Sequence, residues 1–535
     1  MKLLLSFYTS HKQNMLLFLV LLAISLILFA RILQFGLIYD DYFLLWTSRF
    51  HPGLYGVYWG HPSTVFEFFV LYKLFGINAL AFNLFGIFLR ALSSFLGYLF
   101  IADLTKSKKL GIIFSLLFVT SYIGLQATTW ASAHVVFIDL SLILFVCYRY
   151  LIYLSIKTKI NLLIFLVFLV GSLISDPGRT FPVIGFIIFL FLTYKSDHKL
   201  IDILKSKEFK TMLICCSITV IIFIGWYLLF GYYFGGGSGG HRIRVPFGSL
   251  KYFFGSIANL LLDPFLRTPE GFLGFLKSSK NVMSIYSLSS ILLSALWVIT
   301  LLKFIKRRSI YWTKLTQLFF WIFIFYIPSW ISYPRIFVSA IHRYLTISGF
   351  GFIGILALII FLISRKSKIF AVLAFFIIIA VNIATVDFYL TQEGEYRDEK
   401  TATRALNIMN TIIPKSEQQS LIYLTGDEPF VTLGILNSGG GPLAILKNQK
   451  NPENFINPTT NLEKIANELC HQGIDSSERL IKNQGSLKFH AFYIRNNGDV
   501  RDITVEKLSQ LGKLFQNKNS CFYLKTRYGT KFSLY

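Results

Sequence analysis

Long apolar runs separated by short polar connections fill most of the first 390 residues. Each reads as a helix through a bilayer core, which takes about 20 residues. Spans fall near residues 13 to 36, 81 to 102, 110 to 127, 134 to 154, 160 to 175, 180 to 194, 211 to 233, 285 to 304, 315 to 332, 345 to 364 and 369 to 390. About eleven spans leave the N-terminus inside and the C-terminus outside. The first run has basic flanks and no small-residue cleavage site, so it is expected to remain as an anchor. After about residue 391 the apolar runs shorten and charges mix, the mark of a soluble domain. There, Tyr396 to Ile413 and Leu462 to Leu469 have helical spacing, and Leu421 to Leu424 and His490 to Ile494 read as strands.

The composition fits this reading: 54% of the 535 residues are hydrophobic and 17% aromatic. A formal net charge of +25 raises the question of nucleic acid, yet the positive residues do not gather on one soluble face. They recur between spans, at Lys106, Lys108 and Lys109, at Lys157 and Lys159, from Lys195 to Lys210, at Lys303 to Arg308, and at Arg365, Lys366 and Lys368. Alternate connections carry fewer. This is the positive-inside pattern; it sets orientation and removes nucleic acid as a partner. The fold class is a polytopic α-helical membrane protein. Residues 1–391 form the membrane domain, and residues 392–535 form a small α/β domain outside.

That topology collects the unusual polar residues on the outer side. The first outer loop, 37–80, opens with Asp40 and Asp41, two carboxylates at a lipid boundary that require water, a metal or a partner. Adjacent side chains diverge by about 100° on a helix, so the two do not share one task. One reading makes one of them a general base or metal ligand and the other a helix cap; in the other reading both simply cap the helix that follows. Ser63 to Tyr72 is aromatic-rich and forms an amphipathic helix in the interface.

The third outer turn holds Asp176 and Arg179 around Pro177-Gly178, either a self-paired turn or part of a site facing the first loop. His134 and Asp139, near the fourth span, are weaker candidates, and Asp139 is placed to pair internally. The loop 234–284 starts with a glycine-rich hinge lacking the Gly-Lys-Ser/Thr of a P-loop, then turns basic with His241, Arg242 and Arg244. His342-Arg343-Tyr344 stands at the outer entrance of the tenth span, where a guanidinium offers a fork of donors matched to phosphate. Snorkelling to ordinary phospholipid is the plainer role for such an arginine. Cys147, Cys215 and Cys216 lie within spans as small apolar side chains. Cys470 and Cys521 lie in the outer domain, where an oxidising compartment would permit a disulfide.

Four segments together resemble the GT-C superfamily of integral-membrane glycosyltransferases. They are Asp40-Asp41-Tyr42, Leu71-Tyr72-Lys73-Leu74-Phe75-Gly76-Ile77-Asn78, the stretch from Ser175 to Pro182, and His342-Arg343-Tyr344-Leu345. The likeness is greatest to the group of protein O-mannosyltransferases and aminoarabinose transferases. It implies an inverting transfer from a polyprenyl-phosphate-linked sugar to a glycan, lipid or protein acceptor, at the outer face of a bacterial-type plasma membrane. In that frame Asp40 would be the base and Asp41 its support. Arg343, with Arg179 or Arg242, would hold the donor phosphate, and Asp176, His342 and Tyr344 would line the site. No nucleotide cofactor is implied. Without a spaced Asp-x-Asp, a divalent metal is open but not favoured. A flippase for lipid-linked saccharide or a non-catalytic scaffold would share the basic outer loops, although a transporter more often shows internal repeats and polar spans.

Overall fold

The computed structural model describes residues 2–38, 40–50, 62–194, 200–234, 250–266, 310–332, 337–397, 399–413, 420–427, 455–459 and 488–515, with isolated positions at 292–302 and 462. The chain divides into two compact units. The first comprises Met1–Leu33, Leu54–Glu67 and Ala81–Thr391; the second comprises Gln34–Gly53, Phe68–Leu80 and Gln392–Tyr535.

The helices of the membrane region and its loops are, in chain order, α1 (Lys2–Leu28), α2 (Asp40–Phe50), α3 (Pro62–Phe75), α4 (Ala79–Thr105), α5 (Lys108–Thr120), α6 (Gln126–Thr129), α7 (Val135–Ser155), α8 (Lys159–Ser175), α9 (Pro177–Thr180), α10 (Pro182–Tyr194), α11 (Leu200–Lys205), α12 (Lys207–Phe234), α13 (Leu250–Leu266), α14 (Ile310–Ser332), α15 (Thr346–Lys366) and α16 (Lys368–Arg397). Six described helical stretches are long and apolar enough to cross a membrane: Ala79–Thr105, Ala131–Ser155, Lys207–Gly225, Tyr311–Ile331, Arg343–Lys366 and Lys368–Gln392. Lys12–Leu28, Lys159–Ser175 and Gly178–Tyr194 are apolar but shorter. The expected span at 285 to 304 lies largely outside the described residues.

Local chemistry fixes the helix ends. Ser107 caps α5 by accepting the Leu110 N–H, and Thr158 caps α8 by accepting that of Asn161. The run expected to continue from 110 to 127 stops at Thr120, for two reasons. The chain turns through Gly124 at φ +67°, a conformation that glycine adopts without steric cost. The last carbonyls of α5 are also taken by a fully buried arginine from α4. Arg90 donates to the carbonyl oxygens of Phe118, Val119 and Ser121 and to Thr128 Oγ1, with Phe29 and Phe137 rings at 4.6 and 5.7 Å from its guanidinium carbon. A cation at a helix C-terminus satisfies orphan carbonyls and the negative end of the helix dipole at once.

The core between α4, α5, α10, α14 and α15 is aromatic. Trp321 is fully buried, with Phe325, Phe186, Phe350 and Phe100 ring centroids at 4.4, 4.7, 4.8 and 5.8 Å. Its indole N–H donates to the Ile347 carbonyl at 2.7 Å. Such ring pairs contribute about 0.5–1.5 kcal/mol each beyond their burial.

The second unit carries a four-stranded sheet of β1 (Ser420–Gly426), β2 (Phe455–Thr459), β3 (Lys488–Ile494) and β4 (Val500–Asp502), in the order β2-β1-β3-β4. β1 runs parallel to β2 and β3, and β4 is antiparallel to β3. Helix α17 (Glu399–Ile412) buries Ala405, Leu406 and Met409 on one stripe and pairs Arg404 with Asp499 beside β4 at 2.5 Å. A last helix, α18 (Thr504–Phe515), follows β4. The strands expected at 421–424 and 490–494 therefore form the centre of the sheet. The helix expected at 462 to 469, Cys470 and Cys521 lie outside the described residues, apart from Leu462.

Candidate functional site

The segment before Arg343 is strapped from two sides. On one side, α13 presents Ser256, Asn259 and Asp263 one turn apart. Ser256 Oγ accepts the Val338 N–H at 2.9 Å, and Asn259 Nδ2 donates to the Val338 carbonyl at 2.6 Å. The Asp263 carboxylate accepts the Ser339 hydroxyl at 2.6 Å and the Ala340 N–H. On the other side, the Gly124 N–H donates to the Ala340 carbonyl and the Gln126 N–H to that of Ile341, each at 2.9 Å, while Gln126 Oε1 accepts the Arg343 N–H at 3.2 Å. None of α13's three clamps was signalled by sequence, since each depends on a pairing about 80 residues away.

Arg343 thereby stands on a fixed backbone. Its guanidinium carbon lies 4.6 Å from the centroid of the Trp130 ring and 5.3 Å from that of Tyr344. Its Nε is buried without a hydrogen-bond partner, and among the described residues no carboxylate pairs with it. His342 caps the turn, its Nδ1 accepting the Tyr344 N–H at 3.3 Å, with its ring 4.5 Å from that of Tyr344. Burial, then the charges of Arg343 and Arg179, push the His342 imidazole down to about 4, so it is neutral at neutral pH.

Arg179 is arranged differently. Its Nη1 lies 3.0 Å from Asp176 Oδ2 and 3.5 Å from Asp139 Oδ2, and both carboxylates are buried. Ser175 Oγ donates to Asp139 Oδ1 at 2.8 Å. Asp176 also opens α9 by accepting the Arg179 N–H at 3.2 Å. Asp139 pairs internally, as its position within the span suggests, and one guanidinium serves two carboxylates. The structure thus brings Asp176, Arg179, His342, Arg343 and Tyr344 into one electrostatic neighbourhood, with Asp139 and Trp130 as members that the sequence ranked low or did not single out.

Asp40 and Asp41 belong to the second unit. Asp40 is the first residue of α2. Asp41 is buried; its Oδ2 accepts the Ile38 N–H at 3.0 Å while its own N–H donates to the Ile38 carbonyl at 3.0 Å, a reciprocal capping arrangement. Arg242 lies outside the described residues. Glu67 of α3 meets His134 at 2.8 Å. Among the described residues no three His, Cys, Asp or Glu side chains gather to hold a metal ion.

Helices of this length and packing, with a small mixed sheet beyond the last of them, define a polytopic membrane fold. The archaeal oligosaccharyltransferase AglB from Archaeoglobus fulgidus, solved with an inhibitory peptide and a dolichol-phosphate, superimposes with a TM-score of 0.50 at 12% identity, over 91% of this chain and 70% of that one. The oligosaccharyltransferase of the same organism with zinc and sulfate gives 0.49 at 12% identity, covering 89% and 68%. ArnT from Cupriavidus metallidurans bound to undecaprenyl phosphate gives 0.37 at 10% identity, covering 89% and 95%. No protein-family model and no curated protein matches the chain. The likeness is one of fold: the chain shares the fold of the archaeal oligosaccharyltransferase AglB.

Proposed function

We propose that this chain is a membrane glycosyltransferase that moves a sugar from a polyprenyl-phosphate-linked donor to an acceptor at the outer face, the acceptor being a glycan, lipid or protein. The observation that carries the reading is Arg343, a guanidinium on a strapped backbone that lacks a carboxylate partner among the described residues and sits beside a neutral histidine. A half-buried cation with no carboxylate partner among the described residues attracts an anion, and a phosphodiester supplies one. The GT-C fold supports the same class, and the alternation of lysine clusters supports an inside N-terminus and an outside C-terminal domain.

In this reading Asp40 takes the proton from the acceptor hydroxyl. The freed oxygen attacks the anomeric carbon from the face opposite the phosphate, the carbon–phosphate-oxygen bond breaks, and the configuration inverts. Negative charge then builds on the departing polyprenyl phosphate, where Arg343 stabilises it. Electrostatic help of this kind is worth about 3–4 kcal/mol. Asp41 holds the turn that presents Asp40. Arg179, Asp176 and Tyr344 shape the phosphate side, and no step requires a nucleotide or a divalent metal.

The experiment is sugar transfer from a polyprenyl-phosphate donor by the full chain in lipid nanodiscs. Asp40→Asn should lower turnover by about 10²–10⁴-fold, the range for loss of a general base. Asp41→Asn should lose less, through the turn it holds. Full activity in both variants would refute the catalytic assignment. Transbilayer movement of donor lipid without transfer would favour a flippase instead.

A further inference from the structure

Trp130 lies in the turn between α6 and α7. In the fold this turn and the 340–343 segment are stitched together by the Gly124, Gln126 and Arg343 backbone bonds. The indole face is thereby brought to 4.6 Å from the Arg343 guanidinium carbon. Tyr344 covers the same group at 5.3 Å, and its own ring is held against His342 at 4.5 Å.

A guanidinium has two faces and an edge. Aromatic rings attract the faces, while oxyanions bind the N–H edge in its plane. An arginine stacked on a ring has lost its rotational freedom before any anion arrives, and its edge is what remains for the anion. The contrast with Arg179 is direct: that guanidinium is oriented by two carboxylates that also neutralise it. Arg343 is oriented by π-faces, and among the described residues no carboxylate compensates its charge.

We propose that Trp130 is a positioning residue for the donor phosphate, acting through Arg343 by fixing the guanidinium plane without neutralising it. This rests on the reading of Arg343 as the phosphate holder. Preorganisation of this kind appears in affinity for the phosphate and in no other property of the lipid, because Trp130 acts only on the cation. It also predicts that lysine does not replace Arg343, since an ammonium has no plane for the indole to fix.

The probes are undecaprenyl phosphate and the uncharged alcohol undecaprenol, titrated into the purified full chain in nanodiscs. Wild type should prefer the phosphate, and Arg343→Ala should abolish the preference. Trp130→Leu should weaken phosphate binding about tenfold while leaving the alcohol unchanged, and the Trp130→Leu/Arg343→Ala double variant should be no worse than Arg343→Ala alone. A second measurement needs no change of fold. Fluorinated tryptophan, incorporated at all 8 tryptophans, drains the ring's negative face; phosphate affinity should fall with fluorine number in wild type and not in Trp130→Phe. Unchanged phosphate affinity in Trp130→Leu and on fluorination, with Arg343→Ala still impaired, overturns the positioning role and leaves the phosphate reading standing. Equal binding of phosphate and alcohol by wild type overturns the phosphate reading and this inference with it.

Discussion

Glu67 on α3 and His134 at the entrance of α7 meet at 2.8 Å with side chains 1% and 0% exposed. Their remaining polar atoms, Glu67 Oε2 and His134 Nε2, find no hydrogen-bond partner among the described residues. The approach depends on Gly86: a β-carbon there would lie 2.3 Å from His134 Nε2 and 2.7 Å from the Thr128 carbonyl oxygen. This pair ties the amphipathic helix to the spans.

Burial raises the Glu67 carboxyl above its usual range, against the lowering pull of His134. The sign follows: a carboxyl raised on folding contributes stability that is full below the unfolded value near 4.5 and is lost as pH rises through the folded value. Glu67→Gln, neutral at every pH, should remove that loss. The difference between the thermal midpoints of wild type and Glu67→Gln, followed from pH 4.5 to 8, should shift steadily in favour of the variant. A flat difference would show that folding leaves the Glu67 carboxyl where it is in the unfolded chain. Glu67→Ala, which leaves His134 buried and unpaired, should cost about 1–3 kcal/mol at every pH.

His342 runs the other way. Its imidazole is pushed down to about 4 by burial, Arg343 and Arg179, so the fold favours its neutral form. The stability it contributes is present above the unfolded value near 6.5 and disappears as pH falls toward about 4. His342→Gln should flatten the acid limb of the midpoint curve. Arg343→Ala, which removes one of the two cations facing the ring, should make that limb shallower and end it at a higher pH. An acid limb in Arg343→Ala that overlays wild type would mean the two groups are not coupled.

Six of the spans, the helix from Pro62 and the central strands were legible because each is written in one continuous stretch: an apolar run, a 3.6-residue period, an alternating period. The α5 helix was read seven residues too long, because the signals that end it, Gly124 and the reach of Arg90, are respectively a single residue and a contact 28 to 31 positions distant. The candidate site divides in the same way. Arg343 and Arg179 stood out as charges at the ends of apolar runs, but sequence could not say that one is stacked on Trp130 and the other bound by two carboxylates. Asp263 drew no notice, since an acid near a helix end is ordinary until Ser339 and Ala340 are brought to it.

Arg90 is testable on its own terms. A guanidinium reaching three carbonyls and a hydroxyl, with two rings on its flanks, depends on its planar fork. Lysine has one donor centre and leaves carbonyls at the end of α5 without partners, so Arg90→Lys should be destabilising by about 2–4 kcal/mol, nearly as much as Arg90→Met. Differential scanning fluorimetry of detergent-solubilised protein reads this directly. A lysine variant as stable as wild type would reduce Arg90 to a simple point charge.

The Asp139–Arg179–Asp176 cluster makes the sharpest energetic prediction, because it places two buried carboxylates on one cation. Arg179→Met leaves both acids buried beside each other without the cation they share, and should cost about 3–5 kcal/mol. Asp139→Asn alone removes one of two counter-charges and retains a hydrogen-bonding side chain for Ser175, so its cost should be about 1 kcal/mol. The double variant has one carboxylate left and no like-charge repulsion, so it should be more stable than Arg179→Met. The double-mutant cycle should show a coupling of at least about 1 kcal/mol, of the size expected for residues in one charged network. Strictly additive losses would mean that Arg179 answers to Asp176 alone, and that Asp139 is held in the span by Ser175 without help from the arginine.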